Sequence, residues 1–99
     1  MIEIKIEQTV RSEDTHESIT HVLGRKNGVG ELFWWTREGA AALIDDAKTH
    51  TFYTHISSKT ALVGVVYPQK GARYLRTHAD GYYNDNLLAL PIYQGKLAA

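Results

Sequence analysis

The chain has 99 residues, eleven basic and eleven acidic side chains, 43% hydrophobic content and no cysteine. That length suits one domain around one core, burying roughly 60–65% of its extended surface, and the composition excludes wholesale disorder. Zero net charge argues against a general nucleic-acid binder, which needs a basic surface, and favours self-association; the lack of cysteine excludes a disulfide framework, a zinc ribbon and a thiol nucleophile.

From the N-terminus, Ile2, Ile4 and Ile6 alternate with Glu3, Lys5 and Glu7, the period-two pattern of a strand with one wet face. The same stretch, MIEIKIEQTV, lacks the cationic start and apolar block of a signal peptide. No apolar run approaches membrane-spanning length, so the expected location is cytoplasmic. Arg11 to Ser18 (RSEDTHES) is polar and acidic and reads as a loop. Strand character resumes at Ile19–Leu23, and Asn27-Gly28 marks a tight hairpin, because both residues tolerate positive φ. The partner strand is expected over Glu31–Trp35, with Trp34 pointing opposite to Phe33 and Trp35. One of those sides is core. The other is a candidate contact patch, since exposed large aromatics often mark interfaces.

Thr36 has the character of a helix N-cap, with Glu38 in the first turn where the helix dipole favours negative charge. Ala40, Leu43, Ile44 and Ala47 then form one apolar stripe of a helix of about three turns. Gly39 weakens that helix by ~1 kcal/mol relative to alanine, so packing must hold it. Phe52–Ile56 reads as a strand. Ala61–Tyr67 (ALVGVVY), the most apolar segment, is expected to be the central strand. Arg73–His78 follows as its partner, Asp80-Gly81 as a second tight turn, and Asn86–Leu90 as a helical turn capped by Asn84 or Asp85 and ended by Pro91. The predicted fold is a single α+β domain over residues 1–95: one mainly antiparallel sheet of about five to six strands, one α-helix packed on it, and a short C-terminal helical turn. Lys96–Ala99 reads as a tail added by an expression vector.

The richest chemistry lies in RYLRTHADGYYNDNLLALP, Arg73 to Pro91. Alternation puts Tyr74, Arg76 and His78 on one strand face, a donor-rich surface with an aromatic plane suited to phosphate or carboxylate. Asp80, Tyr82 and Asn84 extend it around the turn, and binding residues are commonly held on such turns by a rigid scaffold. The spacing of Asp80, Asn84, Asp85 and Asn86 does not match a calcium loop, and the five histidines show no zinc spacing. Gly28-Val29-Gly30 lacks the lysine and helix onset of a phosphate loop. No nucleophile–base constellation is recognisable. The sequence therefore points to a binding domain without catalytic residues, metal or cofactor, receiving a small anionic or nucleotide-like ligand. The alternatives are a protein–protein module or homodimer using the N-terminal strand as an edge or the Trp34/Trp35 patch, and, more weakly, single-stranded nucleic-acid binding through tyrosines interleaved with arginines.

The segment from Tyr74 to Pro91 resembles the bacterial and phage family catalogued as domain of unknown function 3892. The resemblance rests on Tyr74, Leu75, Arg76, Thr77, Asp80, Gly81, Asp85, Asn86, Leu87, Leu90 and Pro91. Ile19–Ala47 looks similar in plan, and Met1–Ser18 falls outside the match. The resemblance implies a small α+β fold and no established reaction, cofactor or partner.

Overall fold

A computed structural model describes residues 1–97. Ala98 and Ala99, half of the expected vector tail, lie outside them. The elements are β1 (Ile2–Arg11), a 3-10 turn (His16–Ser18), β2 (Ile19–Lys26), β3 (Phe33–Thr36), α1 (Arg37–Asp46), β4 (His50–Ile56), β5 (Lys59–Val66), β6 (Tyr74–Ala79), β7 (Tyr82–Asn84) and α2 (Asn86–Ala89). The architecture is α+β, with one mixed sheet of seven strands in the order β3-β2-β1-β4-β5-β6-β7.

The strand count exceeds the expected five to six because Tyr82–Asn84 pairs with Thr77–Ala79 as a short edge strand. All pairings are antiparallel except β1 with β4, which run parallel. The chain lays β2 and β3 on one side of β1, crosses through α1, and lays β4 on the other side. Two expectations fall with that crossover. The N-terminal strand is interior, flanked by β2 on one side and on the other by β4 at Ile2–Lys5 and by residues 91–93 at Thr9, so it is not a sheet edge; the sheet edges are β3 and β7. The middle strand is β4, not the more apolar Ala61–Tyr67 segment, because position in the sheet follows connectivity rather than hydropathy.

The core lies between the sheet and α1. Ile4, Ile6, Val22, Phe52, Val63 and Leu75 point from successive strands toward Ala40 and Ala41 of the helix. The Thr36 hydroxyl caps α1, accepting from the Gly39 amide at 3.0 Å. Ala47 departs from the expected stripe: it is the left-handed C-cap (φ 56°), and Ala41 takes the buried place instead. Arg73 ties the helix to the run-in of β6, donating to Glu38 and Asp45 at 3.1 Å each. Trp35 packs edge-on against Phe52 with ring centroids 5.1 Å apart, while Trp34 projects to the other side. Tertiary packing thus absorbs Trp35, leaving Trp34 as the exposed member of the proposed pair.

Two of the hairpins turn on paired positive-φ residues, Ser57-Ser58 and Asp80-Gly81. The latter closes directly onto Ala79–Tyr82, as a two-residue turn of this conformation should. Asn27-Gly28 also has positive φ at both residues. It forms only the tip of a wider loop, however, since the β2–β3 ladder begins at Gly24 and Phe33.

Candidate functional site

The alternation expected in β6 is present. Leu75 and Thr77 are fully buried, and Tyr74, Arg76 and His78 lie on the opposite, outer face. Their surroundings differ sharply. Arg76 spans β6 to the α2 cap: Nη2 donates to Asp85 Oδ1 at 3.1 Å and Nε to the Asn84 carbonyl at 3.4 Å. Its guanidinium lies 5.2 Å from the Tyr83 ring centroid, close enough for cation–π attraction. Among the described residues Nη1 has no hydrogen-bond partner. Tyr74 is drawn away from this group by His16, with the two rings stacked at 6.4 Å and 27°.

Asn84 and Asp80 do not join the outer face. The Asn84 side-chain oxygen accepts from the Thr77 hydroxyl and, at 3.1 Å, from the Asn86 amide, so Asn84 supplies the side-chain cap of α2. Asp85 occupies the N-cap position without a side-chain cap bond. Asn86 donates to the buried Thr54 hydroxyl at 3.2 Å. Asp80 is a turn residue with φ 53°. Of the six proposed ligand residues, the fold keeps Arg76 and His78 together on the outer face; it adds Tyr83, which pairs directly with His78, while Tyr82 pairs with Ala79 and only borders the cleft beside His78.

Two important residues escaped the sequence reading. His16, within the segment read as a polar, acidic loop, is only 7% exposed. Its Nε2 is buried and, among the described residues, has no hydrogen-bond partner, lying 3.7 Å from Asp85 Oδ1. Desolvation, and then the nearby Arg76 charge, hold its pKa below the usual histidine value against the opposing pull of Asp85 and Glu17. Arg11 is the other: its side chain is 6% exposed and its guanidinium donates to the Leu88 and Leu90 carbonyls at 2.9 and 3.0 Å. No local pattern marks either residue, since both acquire partners more than 50 positions away.

β4 is abandoned by a neighbour at each end. It pairs with β1 only from His50 to Tyr53, after which β1 runs on to Arg11. It pairs with β5 only from Tyr53 to Ile56, against Lys59–Leu62. The first gap is closed by α2 and the residues after it. Thr9 exchanges main-chain bonds with this segment, donating to Pro91 at 3.1 Å and accepting from Tyr93 at 2.8 Å. The second gap is an open cleft of about 230 Å³, with Thr51 and Phe52 on one lip, Leu62, Val63 and Gly64 on the other, and Ile44 of α1 and its C-cap Ala47 contributing to its wall. A second cleft of about 390 Å³, lined by Gly64, Val65, His78, Gly81, Tyr82 and Tyr83, adjoins it. His78 and Gly64 belong to both. The reason is local: a Cβ on Gly64 would stand 3.0 Å from the His78 ring, so glycine lets the imidazole lie flat across β5.

This small α+β domain, with its β6–β7–α2 signature and two adjoining clefts, belongs to the family described as Protein of unknown function (DUF3892), whose model matches residues 1–91. The match takes in Met1–Ser18, beyond the segments that the sequence alone relates to the family. No curated protein and no solved structure matches the chain. Among the described residues, no helix is long and apolar enough to cross a membrane.

Proposed function

We propose that this protein is a non-catalytic binding domain that takes a small anionic, nucleotide-like ligand on the outer sheet face at His78 and Arg76. The observation that carries the reading is the placement of His78. Its ring forms the shared wall of two adjoining clefts, with Tyr83 opposite it and the Arg76 guanidinium beside it. An imidazole, a tyrosine plane and an arginine with an unused Nη1 supply stacking and anion-directed donors together. Binding is favoured over catalysis because, among the described residues, no hydrogen bond joins His78 to a hydroxyl, amine or carboxylate that would serve as nucleophile or orienting partner.

The test is thermal-shift screening followed by calorimetry with a panel of nucleotides and small anions, comparing the wild type with His78→Ala. A panel member should raise the midpoint of the wild type and leave that of His78→Ala unmoved. The unliganded stabilities should differ by no more than about 0.5 kcal/mol, as for a surface position. A silent panel, or a variant that binds as the wild type does, would overturn the proposal. Arg76 is the poorer probe, because its bond to Asp85 also anchors the start of α2.

A further inference from the structure

Resting on that binding reading, we infer that the ligand is bipartite, with a planar base lodged in the split between β4 and β5 and a charged group in the neighbouring cleft beside His78 and Tyr83, whose ring the Arg76 guanidinium overlies. The first ground is the sheet itself. Beyond the Tyr53–Leu62 pair, residues 50–52 and 63–66 are held only on their outer sides, by β1 and β6. Among the described residues no ladder joins their facing edges, whose main-chain donors and acceptors are open to water or to a ligand in its place. The edge of a nucleobase, with donors and acceptors side by side, is of the right kind.

The second ground is the lining. Leu62, 47% exposed, offers an apolar surface at the lip, while His50 and His78 bring imidazole rings to the same cleft. Aromatic rings of this kind hold bases by stacking without reading their sequence.

The third ground is size. A volume of about 230 Å³ falls short of the roughly 300–1,000 Å³ of sites that enclose whole small ligands. The adjoining cleft of about 390 Å³ supplies the rest through the common wall of Gly64 and His78. A ligand using both must present one part to the apolar split and another to His78 and the tyrosines, with the Arg76 guanidinium 5.2 Å from the Tyr83 ring centroid. A nucleoside phosphate has that division; inorganic phosphate and a sugar phosphate have only its second half.

The experiment titrates ¹⁵N-labelled full chain with nucleoside monophosphates, ribose 5-phosphate and inorganic phosphate, reading amide shifts and affinities. The expected result is binding of a nucleoside monophosphate about tenfold or more tighter than ribose 5-phosphate. The amides of Phe52 and Val63, which line the split alone, should move with the former and stay still with the latter. Leu62→Trp, which fills the lip, should lower nucleotide affinity by about tenfold and leave ribose 5-phosphate within about twofold; if that variant fails to fold, the wild-type amide map decides alone. Equal affinities for nucleotide and ribose 5-phosphate, or nucleotide binding that bypasses the Phe52 and Val63 amides, would overturn the bipartite placement while leaving the His78 site standing. Silence from every ligand would remove both.

Discussion

The two ends of β4 pose the same structural problem and meet it differently. At one end β1 diverges, and the chain's own signature segment fills the gap. Leu87 and Leu90 enter the core, Asn86 bonds Thr54, and residues 91–93 run alongside Thr9. At the other end β5 diverges, and among the described residues no segment takes its place. The difference separates two meanings of a residue-rich motif. Asn84, Asp85, Asn86 and the leucines after them are the plug of a closed gap, and the open gap is bordered by ordinary-looking residues such as Thr51, Leu62 and Gly64.

That contrast can be broken by substitution. Leu87→Ala should be the most damaging change, because the side chain is fully buried and a cavity there costs about 2–5 kcal/mol. Denaturant unfolding would measure it, and a loss below 1 kcal/mol would show that the plug is not part of the cooperative core. Arg11→Ala should follow, at about 2–3 kcal/mol, since it strands the Leu88 and Leu90 carbonyls that the buried guanidinium now satisfies. A neutral outcome would mean that water replaces Arg11 and that the closed gap is wetter than described. The smallest effect should be one of pH. Because the folded-state pKa of His16 lies below 6.5, folding favours its neutral form. Its contribution is complete above the unfolded value and is lost as pH falls through the folded one. Arg76, Asp85 and Glu17 surround it, so the readout must be differential: His16→Gln should flatten the acid side of the stability–pH curve relative to wild type. An unchanged slope would assign the acid loss to the carboxylates instead.

Much of this molecule was legible from its residues because the signals are local. The Ile2–Glu7 alternation, the Thr36 cap, the Asp80-Gly81 turn and the two faces of β6 each depend on neighbours within a few positions. They appear where the periodicities put them. The misses are long-range. β7 was overlooked because three residues carry no useful period, and only pairing with β6 makes them a strand. Trp34 and Trp35 were separable in direction, but the sequence could not say which would meet Phe52. His16 looked solvated in its acidic loop until folding laid that loop against Tyr74 and Asp85.

The candidate site was half legible for the same reason. Arg76 and His78 could be grouped from alternation, whereas the splits beside β4 could not be read, since they arise from the parallel insertion of β4 next to β1 after a helical crossover. The class of fold, the long helix and its cap, and the face on which the polar residues of β6 emerge were all readable in the residues, because they follow from backbone preferences and side-chain period. Only the tertiary structure decided that Asn84 and Asp85 belong to the scaffold, that Arg76 is partly occupied by Asp85, and that one gap in the sheet is sealed while the other stays open. Those outcomes depend on which distant strands become neighbours and which main-chain groups are left without a partner.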